Sequence, residues 1–145
     1  MANTLKVSLK SLNRDMTFAG KGQTGHWIMM DAKEEVGGNG AASTPMELML
    51  QSLGGCTGMD TLSILKKKRT PFTFMEIILN SERSNEHPKV FTSIHIEFIL
   101  HSNGGEKALK NLKRAVELSH DRYCSVAAML KPTVKMTHEC KIIEE

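Results

Sequence analysis

Two of the three cysteines in this 145-residue chain stand where a thiol could react. Cys56 follows two glycines in LGGCTGMD, and Cys124 follows a tyrosine in SHDRYCSV. Both are predicted to lie in the first turn of a helix, where the partial positive charge of the helix end stabilises the reactive thiolate. On separate helices they would form an attacking and a resolving thiol. Each alone also fits inert packing, since unpaired cysteine is among the most buried residue types.

The other ligand-type side chains do not indicate a metal centre. Cys140 lies in a predicted terminal strand away from any helix end, and we interpret it as structural. The sequence lacks the C-x-x-C and H-E-x-x-H spacings of zinc sites, so we expect no metal and no bound cofactor. The alternative is a metal site whose ligands come from four residues that are scattered in the sequence: Cys56, Asp60, His120 and Cys124.

The composition is typical of one soluble globular domain over residues 1–145, with 40% hydrophobic and 24% charged residues. A net charge of +3 and only 5% aromatic residues argue against nucleic-acid binding, and the single basic run, KKKR at 66–69, fits a helix end. No stretch approaches the length of a membrane span, and residues 1–13 lack the apolar segment of a secretion signal. Three widely spaced cysteines favour a reducing compartment, and we expect the cytoplasm.

The elements that position the cysteines begin with strands. Alternation over residues 4–12, with Leu5, Val7 and Leu9 on one face, predicts a half-buried strand. MTFAG and HWIMMD predict two further strands, separated by the glycine-bearing KGQTG. The opening third is therefore expected to be an antiparallel meander.

A helix start follows, with Thr44 as N-cap, Pro45 at the first helical position and Glu47 as the reciprocal half of a capping box. The helix is apolar on nearly every side, which is typical of a buried helix. Gly54–Gly55 is predicted to weaken or kink it, because glycine in a helix interior costs about 1 kcal/mol relative to alanine. A fresh helical segment is then expected from Cys56.

The remaining pattern predicts two strands, two helices and a last strand. The second of these helices is expected to have Asp121 as its N-cap. The order indicates an α+β fold with helices gathered on one face of an antiparallel sheet. The predicted ranges are 72–83 and 89–100 for the strands, 105–119 and 120–130 for the helices, and 133–143 for the last strand.

Two separated motifs resemble those of the OsmC/Ohr family of small bacterial thiol proteins. The first, TPMELMLQSLGGCTGMDTLSILKKK, has a Pro-x-Glu-Leu helix start and a small-residue run into a cysteine. The second, ELSHDRYCSVAAML, has a cysteine after a tyrosine. The sequence is most similar to the YhfA-like branch, whose SGH- and SER-type stretches recur here as TGHWIMMD and NSERSNEHPKVFT.

This resemblance implies an OsmC-like fold and an intertwined homodimer, with a central helix pair wrapped by sheets from both chains. It implies that Cys56 attacks an organic hydroperoxide to give a sulfenic acid, that Cys124 resolves it to a disulfide, and that a dithiol such as a lipoyl group restores the thiols. In the family, the glutamate at the position of Glu47 bonds an arginine that holds the thiolate.

The chain departs from the family at that arginine. Residues 15–44 contain none, and Arg14 is the only arginine before the helix. This departure favours an alternative in which the protein senses redox state or binds a small ligand and turns over little peroxide; an inert fold with two packed cysteines is the weakest interpretation. Four other cations are candidates for the arginine's role: Lys21, His26, Arg83 and Arg122.

Overall fold

The computed structural model describes residues 3–145. Residue contacts divide it into an N-terminal unit that ends at Leu50 and a C-terminal unit, Gln51–Glu145. Residues 1 and 2, with which the predicted domain begins, lie outside the described residues, and a single domain over 1–145 stays a prediction. The elements are β1 (Ser8–Ser11), β2 (Phe18–Lys21), β3 (Trp27–Met30), a 3-10 turn (Glu34–Val36), α1 (Pro45–Lys67), β4 (Phe74–Arg83), β5 (Phe91–His101), α2 (Gly105–Leu118), a π-helical turn (Ser119–Tyr123), α3 (Ser125–Leu130) and β6 (Lys135–Ile143).

The N-terminal unit contains the predicted meander, an antiparallel sheet in the order β1-β2-β3. The half-buried strand over residues 4–12 is a wrong prediction, because only four of these residues form β1 and the apolar face is open. Leu5, Val7 and Leu9 are 83%, 63% and 50% exposed. Alternation shows which side chains share a face, but it does not show whether another layer covers that face.

Helix α1 is one continuous helix of 23 residues, so the predicted weakness at Gly54–Gly55 is not observed. A Cβ atom on Gly54 would lie 2.8 Å from Leu79 Cδ1 of β4, and one on Gly58 would lie 2.7 Å from Ile77 Cδ1. The absent side chains therefore let β4 approach the helix. The burial gained by this approach offsets the modest helical penalty of glycine.

The C-terminal unit contains a second sheet in the order β4-β5-β6. Strands β4 and β5 form the predicted antiparallel hairpin, but β6 runs parallel to β5, so the expectation of an antiparallel sheet is wrong for this pair. The segment between β5 and β6 contains two helices. This crossover connection brings the chain back to the end of the sheet where β5 begins, so β6 can run parallel to β5.

Both long helices pack on one face of this sheet. Ile77, Phe98 and Cys140 occupy one row across the three strands and point the same way. Ile77 contacts Gly58 of α1, and the charge of Lys113 on α2 acts on Cys140. The α+β class with helices on one face is therefore confirmed. The fully buried core comprises mainly Leu53, Leu65, Ile94, Phe98, Leu100, Leu112 and Val116.

Candidate active site

The structure brings Cys56 and Cys124 together within the C-terminal unit. Their Sγ atoms and a carboxylate oxygen of Asp60 all lie within 4.8 Å of one another. The fold alone brings the two thiols close, because Cys56 and Cys124 are 68 positions apart in the chain. Cys124 is only 3% exposed, whereas Cys56 is half-buried. A buried thiol thus lies beside a more accessible one, which is the arrangement of a dithiol pair.

Cys56 lies in the interior of α1, not in the first turn of a helix as predicted. Its placement on one helix face follows from the uninterrupted helix. Asp60 is four residues further along and therefore shares that face, which explains why its carboxylate reaches the thiols. The charge of the helix end does not act on Cys56, because the effect falls off within the first turn.

Cys124 caps α3 and immediately precedes it. After α2 the chain makes a π-helical turn, in which the Cys124 N–H donates to the Ser119 carbonyl at 2.8 Å. Its Sγ then accepts a hydrogen bond from the Ala127 N–H at 3.3 Å. The predicted N-cap, Asp121, lies within the π-helical turn, so that prediction and the first-turn position of Cys124 are wrong. A thiol is a weak acceptor, and its capping role is not evident from sequence.

Burial controls the acidity of Cys124. Removal from water raises the pKa of this thiol from 9.0 to about 11, and the neighbouring Cys56 thiol acts in the same direction. The Ala127 N–H lowers the pKa, but by less than burial raises it. Cys124 is therefore a protonated thiol at neutral pH, because the charged form would be buried without a cation.

Asp60 is held by a buried hydroxyl network that sequence reasoning missed. The Ser119 Oγ donates to Asp60 Oδ2 at 2.9 Å, and the Thr57 and Ser119 hydroxyls are 2.9 Å apart. Thr61 Oγ1 donates to the Thr57 carbonyl at 2.8 Å. The sequence does contain a signal for this network. Thr57 and Thr61 are four residues apart, a spacing that places both hydroxyls on the same, inner face of one helix.

His120 does not join the cluster, although it was one of the four residues considered for a metal. Its ring centroid lies 5.5 Å from that of His138, and Lys131 donates a hydrogen bond to its carbonyl. Burial lowers the pKa of His120, and the charges of Lys131 and His138 lower it further. His120 therefore remains neutral at pH 7.

Glu47 forms the predicted capping box in the N-terminal unit. The Thr44 N–H and hydroxyl donate to its carboxylate at 2.7 and 2.9 Å, and the Glu47 N–H donates to Thr44 Oγ1 at 3.3 Å. These bonds lower the pKa of Glu47, and the charge of Lys33 contributes in the same direction. Lys33 was not among the predicted cations. A role for Glu47 in activating the thiol stays a prediction.

Two of the cations proposed to replace the family arginine have other contacts. The Arg83 Nε donates to the Lys89 carbonyl at 2.8 Å within the β4–β5 hairpin. The Lys21 ammonium lies 4.8 Å from the centroid of the Trp27 ring. The contacts described here provide no cation for the dithiol.

Cys140 stands apart from the dithiol, in agreement with its structural interpretation. It is half-buried in β6, where burial raises its pKa to about 11. The charge of Lys113 lowers this pKa, whereas Glu117 and Glu139 raise it. Cys140 is therefore a protonated thiol that is packed within the fold.

A groove of about 410 Å³ opens beside Asp60. Ile64, Leu118 and Tyr123 contribute apolar surface, and Lys67 contributes a cationic side chain. Asp60 lines the groove and also belongs to the dithiol cluster, so the groove lies next to that cluster. Among residues 3–145, no helix has both the length and the apolar character needed to cross a bilayer.

The site is a pair of thiols, one on a long helix and the other after the turn that follows a second helix. Together with the α+β fold, this pair is typical of a class of small thiol proteins. The family model described as OsmC-like protein matches residues 37–139. The chain is also 40% identical over 128 residues to Protein YhfA of Escherichia coli K12, an alignment covering 88% of this chain and 91% of that protein. The chain belongs to the OsmC-like family, which confirms the resemblance.

Solved structures agree with this assignment. A hypothetical protein from Aquifex aeolicus VF5 is 34% identical, with a TM-score of 0.84 and 99% of each chain covered. An organic hydroperoxide resistance protein OsmC from Legionella pneumophila has a TM-score of 0.69, again with 99% of each chain covered. Its identity is only 13%, so this second likeness shows the shared fold alone.

Proposed function

We propose that this protein is a thiol peroxidase that reduces small organic hydroperoxides with Cys56 and Cys124. The observation that carries the proposal is the proximity of the two sulfurs, which lie within 4.8 Å of each other, in a family that includes a named organic hydroperoxide resistance protein. A sulfenic acid formed on one thiol can be captured by a second thiol only when the two are this close.

Exposure supports the division of roles between the cysteines. Cys56 is half-buried and can be approached by a substrate, whereas Cys124 is 3% exposed. The Cys56 thiolate attacks the peroxide O–O bond, giving Cys56 sulfenic acid and, after protonation, an alcohol. The Cys124 sulfur then displaces hydroxide from the sulfenic acid, and the products are a disulfide and water. A dithiol reductant, such as a lipoyl group, returns both cysteines to thiols by two exchange steps and is itself oxidised to a disulfide.

The groove beside Asp60 supports an organic substrate over hydrogen peroxide. Ile64, Leu118 and Tyr123 provide apolar surface that an alkyl or aryl group can cover, and hydrogen peroxide has no such group. Burial of each methylene contributes about 0.8 kcal/mol. Rates are therefore expected to rise with the apolar size of the hydroperoxide.

We further infer a homodimer and a cytoplasmic location. The sheet β1-β2-β3 leaves several large apolar side chains open to solvent, including Trp27 and Ile28, which are 52% and 54% exposed. A second chain that covers them would remove this apolar surface from water. The three free cysteines fit a reducing compartment.

A second function is favoured by one observation at the same site. Asp60 places a carboxylate beside the thiols, and the described contacts give them no cation of the kind that activates a reactive thiolate. A protein tuned in this way would react slowly and sense oxidation instead of turning over peroxide. The sensing alternative therefore has a physical basis in this structure.

Peroxide consumption distinguishes the two functions. The reduced protein is mixed with cumene hydroperoxide and excess dihydrolipoamide, and the alcohol formed per chain is counted. Many turnovers, lost in Cys56→Ser and preserved in Cys140→Ser, support the peroxidase. Formation of one disulfide per chain without further turnover supports the sensor and overturns the peroxidase.

A further inference from the structure

The dithiol cluster also has the composition of a metal site. Cys56 and Asp60 project from one face of α1, and Cys124 approaches from the start of α3. Two thiols and a carboxylate are ligands that Zn²⁺ prefers, at about 2.3 Å for sulfur and about 2.0–2.2 Å for oxygen. Ligand atoms on one tetrahedral ion are consequently separated by about 3.5–3.8 Å. The three atoms, all within 4.8 Å of one another, need to move inwards by about an ångström at most.

Against the expectation from sequence spacing that no metal binds, we propose that the reduced protein binds one Zn²⁺ through Cys56, Cys124 and Asp60, with the fourth position left to water or a small ligand from the neighbouring groove. Binding displaces two thiol protons and leaves the two thiolates and the carboxylate coordinated to the ion. The proposal goes beyond peroxide reduction, because the metal and the peroxide would compete for the same sulfurs. Oxidation of the two thiolates by one organic hydroperoxide, with uptake of two protons, gives the disulfide, an alcohol and water, which removes both sulfur ligands and releases the ion.

The surroundings of Asp60 support this inference. Metal-bound carboxylates are usually oriented by further hydrogen bonds, and here Ser119 donates to Oδ2 and is itself paired with Thr57. Ser119 is 0% and Thr57 3% exposed, so this support is fixed by packing. Two sulfurs and a carboxylate around one point would together stabilise a divalent cation.

A second cluster of ligand-type side chains serves as a contrast. His95, Glu97 and Glu139 lie on the sheet face opposite the helices, with ligand atoms within 4.8 Å of one another. The Lys141 ammonium lies 3.0 Å from Glu97 and 3.5 Å from Glu139, so a cation from the chain itself already neutralises these carboxylates. The dithiol cluster lacks such a lysine among its described contacts.

The test is a Zn²⁺ titration of the reduced full-length protein, without oxygen, against a chromophoric chelator. We expect one bound ion per chain, and none in protein first oxidised to the Cys56–Cys124 disulfide. Asp60→Asn should weaken binding by at least about 10-fold, Cys56→Ser by more, and Ser119→Ala by about 10-fold through loss of orientation. Glu139→Gln and Cys140→Ser are the matched controls and should bind as the wild type does.

Cobalt substitution provides a second measurement. A thiolate-to-Co²⁺ charge-transfer band that Cys56→Ser weakens would place sulfur on the metal, and far-ultraviolet circular dichroism would verify that each variant is folded. Wild-type affinity in folded Asp60→Asn, or an equal loss in Glu139→Gln, would overturn the proposal. If Zn²⁺ does not bind but hydroperoxide is consumed, the metal-site proposal fails and the peroxidase proposal stands. If Zn²⁺ binds but hydroperoxide is not consumed, the peroxidase proposal fails and the metal-site proposal stands.

Discussion

Each unit of the molecule contains an aspartate fixed by hydrogen bonds, but the two carboxylates have different neighbours. In the N-terminal unit, Asp31 is 2% exposed and accepts bonds from the Ala32, Asn39 and Ala41 N–H groups at 2.8, 3.2 and 3.1 Å. The Thr17 side chain acts with these donors to lower the pKa of Asp31. In the C-terminal unit, the described hydrogen bond to Asp60 comes from Ser119 alone, and its other near neighbours are thiols.

The difference separates a structural carboxylate from one available for chemistry. The donors around Asp31 lower its pKa and satisfy both of its oxygens, so it shapes the loop before α1. Asp60 keeps unused acceptor capacity beside two sulfurs that can ionise, oxidise or bind a metal. Reactivity is therefore expected to depend on the C-terminal cluster, and stability of the N-terminal unit on Asp31.

The largest effect is expected from the dithiol. Cys56→Ser should lower the rate of organic hydroperoxide consumption by at least about 100-fold, because no sulfenic acid can form. Cys140→Ser is the matched control and should leave the rate unchanged, since that thiol is packed in β6. Similar losses in both variants would mean that reactivity is not confined to the cluster.

The second effect concerns Asp31. Asp31→Asn should lower the melting temperature by several degrees, because an amide turns one oxygen into a donor that faces backbone N–H groups. Asp15→Asn, at an exposed position of the same unit, is the control. Thermal unfolding followed by circular dichroism measures both, and equal melting temperatures would contradict the structural role.

The third prediction concerns the glycines that bring α1 onto β4. Gly58→Ala should lower the free energy of unfolding by about 1 kcal/mol or more, because its Cβ would lie 2.7 Å from Ile77 Cδ1. Gly55→Ala has no atom within 4 Å of its new Cβ and should raise the free energy of unfolding by about 0.5–1 kcal/mol. Urea unfolding compares the two, and effects of the same sign would be inconsistent with the packing described.

The capping box gives the fourth prediction. Thr44→Ala should cost about 1 kcal/mol of stability, since its hydroxyl accepts the Glu47 N–H. Glu47→Ala should also destabilise the helix start. If Glu47 acts as a cap alone, iodoacetamide should alkylate Cys56 in this variant at an unchanged or slightly higher rate. A slower reaction would instead support the activating role that the family resemblance implies.

The smallest effects are expected in the pH dependence of stability, with opposite signs for carboxylates and buried thiols. Hydrogen bonds lower the pKa values of Asp31 and Glu47, so their stabilisation is present at neutral pH and is lost as the pH falls through these lowered values. Burial raises the pKa values of Cys124 and Cys140 from 9.0 to about 11, so stability should fall as the pH rises across that range. Cys140→Ala should reduce the alkaline loss in urea titrations, because the raised pKa of Cys124 accounts for the remainder, and should leave the acidic loss unchanged.

Much of the framework could be predicted from local pattern. The capping box at Thr44 and Glu47 was confirmed because its bonds join residues three apart. The hairpin of β4 and β5 and helix α2 were also predicted close to their observed bounds. The interruption of α1 was wrongly predicted, because the helical penalty of glycine is small and local, whereas the contacts of Gly54 and Gly58 with β4 are long-range.

The sequence by itself determined the family, the α+β class and which two of the three cysteines are the candidate pair, since these depend on residue types and spacing. Only the tertiary structure decided that β6 runs parallel to β5, that Cys124 caps α3, and that Asp60 lies against the thiols through Ser119. Asp60 and Ser119 are 59 positions apart. No local periodicity records a contact between the inner face of α1 and a turn that follows another helix, because packing alone brings these segments together.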